Sequence, residues 1–210
     1  MPVYSVGITG GSGAPYALRL LDALLTIGHE VHAVVSPAGE TVVQLETGIS
    51  LHGTAREKEE ALAHALEADG KPGRLRVFEH HNLAAPISSG SFPSAGMAVV
   101  PCSTGSLGRI AAGISSNLIE RAADVALKER RPLVLVPRET PLGDIHLENM
   151  LRLRRAGADI VAAMPAFYHR PRTIADLVDM VVGRVLDRLG IENSLFQRWG
   201  KNGDEQENES

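Results

Sequence analysis

The sequence predicts an α/β fold: one domain on a parallel sheet of about six strands, with helices on both faces. Short apolar runs alternate along the chain with stretches of helical periodicity. The runs are continuously apolar, the pattern of strands buried on both faces. Composition agrees: the 210 residues are 44% hydrophobic and 22% charged, ordinary for a globular chain that buries one core.

The elements follow in order. Tyr4–Thr9 reads as a short buried strand, and Ala17, Leu18, Leu21, Leu24 and Leu25 then share one face of a helix spanning Ala14–Leu25. "EVHAVVS" (Glu30–Ser36) is a second strand, after which Ser36 and Pro37 make an N-cap and a first helical proline. Arg56–Gly73 is polar and irregular, a helix plus a surface loop. "LRVFEH" (Leu75–His80), "MAVVPCS" (Met97–Ser103), "PLVLVP" (Pro132–Pro137) and "DIVAAMP" (Asp159–Pro165) supply the remaining strands. Ser103 opens a helix, and helical patterns cover Asn117–Glu129, His146–Arg155 and Ile174–Leu189. The domain is expected to end near residue 199, with the polar, acidic 200–210 as a disordered tail.

Composition also restricts function. A net charge of −4 gives no electrostatic footprint for nucleic acid. One cysteine, Cys102, allows no intrachain disulfide and fits a reducing compartment. No run of 18 apolar residues and no basic-then-apolar leader is present, so a cytoplasmic protein off the membrane is expected.

In open parallel sheets, ligands bind beyond the carboxyl ends of the strands. The distinctive stretches of this chain fall there: "TGGSGA", "SPAGE", "PCSTGS", "PRETPL" and "PAFYHRPR". The first lacks the Gly-Lys-Ser ending of a Walker loop, and Tyr16 stands where the dinucleotide fingerprint has its third glycine. A glycine turn leading into a helix can still present N–H groups to an anion, or serve only as a tight turn. Arg121 and Lys128, seven apart, share a helix face, while Arg130 and Arg131 read as a solvated helix end. Arg138 and Glu139 end a buried strand, where a charge must meet an anion or an acid. His80 and His81 are adjacent and expected to point apart, and no His/Cys cluster has metal spacing. A bound phosphate is therefore expected to rest on Arg, Lys, hydroxyls and backbone N–H groups, with no metal.

These stretches, with "SPAGETVVQLETG", "HLENMLRL" and the block "ISSGSFPSAGMAVVPCSTGSLGRIAAGISSNLIERAADVALKERRPLVLVPRETPL", closely resemble the UbiX-like flavin prenyltransferases from Val6 to Trp199. Gly11 departs mildly, standing where an alanine is usual. The resemblance implies a Rossmann-like (flavodoxin-like) domain that binds FMN and assembles as a dodecamer. It implies transfer of a dimethylallyl group from dimethylallyl phosphate to N5 and C6 of reduced FMN, without a metal. The prenylated FMN product would serve UbiD-like decarboxylases.

Carried over by the resemblance, the flavin contacts are Gly10, Gly11, Ser12, Ser36, Ser103, Thr104, Gly105, Ser106 and Arg138. The prenyl phosphate meets Ser89, Gly90, Arg121, Lys128, Glu139, Tyr168 and Arg184, and Trp199 helps to close the pocket. Ser12 and Glu46 stand near flavin N5 and move its proton, and Lys128 and Glu139 act in prenyl transfer. Lys128 and Glu139 are expected to reach one cleft. Either Glu139 or the departed phosphate takes the proton lost at ring closure. Cysteine decarboxylases of the same fold class fit less well. Their histidine is expected on an early helix, whereas His29 and His32 lie just before or within the second strand.

Overall fold

The computed structural model describes residues 1–199. The expected tail, 200–210, lies outside the described residues. Six strands form one sheet: β1 (Val3–Ile8), β2 (Glu30–Val35), β3 (Arg74–Phe78), β4 (Ser94–Cys102), β5 (Leu133–Pro137) and β6 (Asp159–Ile160). The sheet order is β3-β2-β1-β4-β5-β6, and every pairing is parallel. The strand order therefore reverses between β1 and β4, and the loops leaving these two strands diverge there.

Among the described residues seven α-helices pack on the sheet: α1 (Ala14–Ile27), α2 (Pro37–Thr47), α3 (Ala55–Ala65), α4 (Thr104–Ala111), α5 (Leu118–Lys128), α6 (Asp144–Ala156) and α7 (Ile174–Arg188). Alternate residues of one strand feed opposite faces. Ala98 and Val100 of β4, with Val134 and Val136 of β5, join α1 and α7 in one core. Met97 and Val99, with Leu133 and Leu135, join α4 and α5 in the other. This double burial is why the strands read as unbroken apolar runs.

Local signals set the helix starts. The Ser36 hydroxyl accepts from Gly39 N (3.1 Å) and Pro37 opens α2, as expected. Ser103 and Asn117 cap α4 and α5 in the same way. On the α1 face, Arg19 pairs with Asp179 of α7 at 2.5 Å, and Lys71 pairs with Asp22 at 2.5 Å.

Two expectations change. The last strand is shorter than Asp159–Pro165: β6 is only Asp159–Ile160, although Val161 and Ala163 still donate to the carbonyls of Leu135 and Pro137. The regular ladder stops because Pro137, the next residue of β5 that would donate, has no N–H to return a bond to the edge strand. His80 and His81 do not point apart; their rings meet edge-on with centroids 4.6 Å apart. They lie in a turn after β3, where the alternation of a strand no longer applies.

Loops at the switch point pack closely. A Cβ on Gly10 would stand 2.6 Å from Ala38 Cβ at the start of α2. Gly10→Ala must push α2 away from the end of β1. We expect a loss of about 1–3 kcal/mol of stability, the usual range for overpacking, read as a lower urea midpoint. An unchanged midpoint would contradict this packing.

Candidate active site

The crevice at the β1/β4 switch point is built on Thr9. Its buried hydroxyl donates to the Pro101 carbonyl (2.8 Å) and accepts from Ser103 N (2.7 Å). The starts of the two diverging loops are thereby pinned together. Beyond them lies a cavity of about 280 Å³ whose lining includes Thr9, Gly10, Ser36, Ser103, Ser106 and Arg109. The Ser103 hydroxyl donates to Ser106 Oγ at 3.0 Å, and Arg109 Nη2 reaches the same oxygen at 3.3 Å. A larger groove of about 700 Å³ opens beside α1 and α7, but four of its five charges, Arg19, Asp22, Lys71 and Asp179, are paired with one another.

Other expected residues stand at the same end of the sheet. Gly13, at φ 131°, begins α1 without a side-chain cap of its own. Glu46 of α2 supplies one: its Oε2 accepts from Gly13 N (2.9 Å) and Ala14 N (2.7 Å). Two N–H groups that the glycine turn could have offered to a phosphate are thus occupied by a carboxylate of the same chain. Burial pushes the Glu46 carboxyl up. The Ser12 hydroxyl, the Gly13 and Ala14 amides and the Arg138 charge outweigh burial and hold it below its ordinary value. Arg138 Nε donates to the Ser12 carbonyl at 3.3 Å. Glu139 accepts from the Thr104 hydroxyl at 3.4 Å and from Thr140 N at 3.1 Å. Gly11 sits against Pro101, and Gly105 lies exposed in the first turn of α4. The strand-end set Gly10, Gly11, Ser12, Ser36, Glu46, Ser103–Ser106, Arg138 and Glu139 therefore occupies one end of the sheet.

A second group gathers elsewhere. Arg121 Nε donates to the Ser88 carbonyl (3.0 Å), and Lys128 Nζ lies 3.2 Å from where Gly90 would carry a Cβ. Ser89, Gly90, Arg121 and Lys128 thus line one surface between α5 and the segment before β4. Arg131 is not a solvated helix end: its guanidinium donates to the carbonyls of Gly90 (2.6 Å) and Phe92 (2.7 Å) and braces this segment. A third group lies near residue 199. Tyr168 meets Trp199 edge-on at 5.4 Å, and Arg184 and Arg198 both pair with Asp187. Trp199 is 81% exposed and takes no part in the core.

The expectation that Lys128 and Glu139 share a cleft fails within one chain. Lys128 ends α5 just before β5 begins, whereas Glu139 follows its carboxyl end. Five strand residues separate these levels by about 16 Å.

Sequence reasoning missed Arg109 and Glu120. Arg109 Nε donates to Glu120 Oε1, and Glu120, 1% exposed, also accepts from Ser116 N (3.0 Å) and Ser116 Oγ (2.6 Å). Burial pushes the Glu120 carboxyl up, but Ser116, Arg109 and Asn117 together hold it below its ordinary value. The available signal was a charge within the short helix "TGSLGRIA". Among the described residues no His/Cys/Asp/Glu group could hold a metal, and no helix is long and apolar enough to cross a membrane.

Comparison with known proteins decides the family. The Flavoprotein family model matches residues 4–186. A flavin prenyltransferase UbiX of Alkalihalophilus pseudofirmus is 51% identical over 199 residues, covering 95% of this chain and 96% of the relative. That of Pseudomonas aeruginosa is 49% identical, covering 94% and 93%. The chain belongs to the UbiX flavin prenyltransferase family. Two solved structures share the family fold. One, named AnUbiX and described in complex with FMN and dimethylallyl pyrophosphate, superposes with a TM-score of 0.84 at 42% identity, covering 94% of this chain and 97% of that one. The other, described as a dodecameric FMN-dependent UbiX-like decarboxylase from Escherichia coli, has a TM-score of 0.82 at 46% identity, covering 94% and 98%.

The cap made by Glu46 has a pH signature. Its carboxyl is held below the ordinary value of 4.5, so its stabilisation is complete above that pH and is lost as pH falls through the lower folded value. Glu46→Gln should cost about 0.5–1 kcal/mol near neutral pH, the low end for an exposed cap, and should flatten this acid-side loss. Urea unfolding at stepped pH reads both effects. Parallel curves for the two proteins would show that Glu46 caps nothing.

Proposed function

We propose that this chain is a flavin prenyltransferase that joins a dimethylallyl group, taken from dimethylallyl phosphate, to N5 and C6 of reduced FMN. The observation that carries the reading is the hydroxyl-lined cavity at the switch point, with Ser12, Glu46, Arg138 and Glu139 held at the same end of the sheet, in a chain of the UbiX family. The FMN and dimethylallyl pyrophosphate of the solved relative point to the same pair of ligands.

The residues present fit FMN. Gly10 lets the first loop and the start of α2 close together around the cavity, and Ser36, Ser103 and Ser106 offer hydroxyls into it. Arg138 stands at the same end of the sheet as a cation toward the flavin ring. When bound and reduced, FMN supplies the nucleophile and an electron-rich face for the allyl group. Ser12, hydrogen bonded to Glu46, is set to relay the proton lost from N5. Arg121, Lys128 and Arg184 would stabilise the departing phosphate, with Ser89 and Gly90 at its edge and a hydrogen bond from Tyr168. Either Glu139 or the departed phosphate accepts the proton of ring closure.

In one chain these groups occupy three separate surfaces. We therefore read the complete site as one shared between subunits, with Lys128 of one copy meeting Glu139 of another. The E. coli relative is described as dodecameric, and the same assembly is our reading here. Trp199, exposed beside Tyr168, would close the pocket. The domain is taken as residues 1–199. Prenylated FMN would pass to a UbiD-like decarboxylase. The single thiol, Cys102, is buried and pushed up to about 12, an inert thiol that accords with a reducing cytoplasm.

The test mixes reduced FMN, dimethylallyl phosphate and protein, then follows flavin absorbance and mass. Lys128→Ala should retain FMN and slow conversion about a hundredfold to a thousandfold, as expected for one preorganised electrostatic contact. Glu139→Gln should also retain FMN and slow ring closure. Wild-type conversion in both variants would refute the cleft. Sharing between subunits has its own signature: co-assembly of Lys128→Ala with Glu139→Gln should restore activity that neither variant has alone. No recovery in verified mixed oligomers would place the two residues in one subunit's site.

A further inference from the structure

Among the described residues lining the switch-point cavity, Arg109 is the one permanent cation. The other titratable side chain there, His80, is held below its ordinary value by burial, by His81 and by Arg109, and so is neutral near pH 7. Arg109 stands in the last turn of α4, three residues before the C-cap Ala112, and its side chain reaches back along the helix to Ser106 Oγ and Gly105. It is about half exposed, at 46%, whereas its partner Glu120 is sealed at 1%. Such an acid needs a full set of donors. Glu120 has them in Ser116 N, Ser116 Oγ and Arg109 Nε, and its own amide is capped by Asn117. The acid is fixed by the backbone at the start of α5, so it can fix the arginine.

A guanidinium carries five N–H donors in a rigid plane. Glu120 takes the Nε donor and Ser106 takes one on Nη2. The donors that remain suit the flat, two-point contact that guanidinium makes with phosphate oxygens. The cavity size agrees. At about 280 Å³ it sits at the low end of the volumes, about 300–1,000 Å³, typical for small-molecule ligands, a size that suits one end of a nucleotide. Its hydroxyls and the starts of α2 and α4 suit the phosphate end. The flavin ring is then left beside Ser12 and Arg138.

We infer that Arg109 grips the phosphate of the flavin nucleotide and that Glu120 is the positioning residue that aims it. This rests on the reading of the chain as an FMN-binding prenyltransferase. It adds an affinity determinant distinct from the prenyl-transfer groups, and it makes FMN, rather than riboflavin, the accepted flavin.

The test compares FMN with riboflavin by fluorescence titration of flavin-free protein. The wild type should favour FMN. Removing Arg109 alone would strand a buried acid and endanger folding, so Arg109→Met is combined with Glu120→Gln, and folding is checked by circular dichroism. The double variant should bind FMN about tenfold to a hundredfold more weakly, the scale of one charge-assisted hydrogen bond, and bind riboflavin as before. Glu120→Gln alone should lose part of the FMN preference, and Arg109→Lys should keep part of it. A merely structural ion pair would weaken both flavins equally. Undiminished FMN preference in the folded double variant overturns the inference alone. A wild type that binds neither flavin overturns the prenyltransferase reading as well.

Discussion

The parallel pairing of β1 with β4, fastened by Thr9, is the constraint on which the site depends. Those strands carry the chain in opposite directions across the sheet, so their loops separate at the carboxyl end. One buried hydroxyl bonds to Pro101 and Ser103 and holds the two departures at a fixed spacing. Ser36 N donates to the Ile8 carbonyl and brings the third loop to the same point. Three helix starts and their serines therefore converge without any one loop being long. The crevice follows from strand order, and the chemistry follows from the side chains that the crevice collects.

Charge placement separates binding from transfer. Cations suited to holding a nucleotide stand at the carboxyl end of the sheet, each fixed by a partner: Arg138 by the Ser12 carbonyl, Arg109 by Glu120. The cations suited to a departing phosphate lie elsewhere, with Arg121 and Lys128 on α5 and Arg184 on α7. A lone chain can thus be read as a flavin binder with an incomplete reaction site. The exposed aromatic side chains Phe167 and Trp199 flank Tyr168 in the third group, a surface suited to contact between copies.

Much of this was legible in the sequence, for physical reasons. Strands buried on both faces cannot alternate, so their apolar runs stand out, and the Ser–Pro start of α2 is a local signal. The shortened β6 was not legible, because "DIVAAMP" has strand composition while the limit lies on its neighbour, where Pro137 has no N–H to continue the ladder. Contacts made through space were hidden too. Glu46 caps a helix more than thirty residues earlier in the chain, and Arg131 looks like an ordinary helix-end charge until the carbonyls of Gly90 and Phe92 arrive beside it. Lys128 and Glu139 looked convergent because helix periodicity says which face a residue occupies, but not which end of the sheet that face reaches.

Amide hydrogen exchange with and without FMN tests most directly whether the nucleotide occupies the switch point. The account predicts that FMN slows exchange in the segments Thr9–Gly13, Ser36–Glu40 and Ser103–Arg109, while α3 and the groove beside α1 and α7 exchange as before. Protection confined to that larger groove, or no protection at the three strand-end loops, would contradict it.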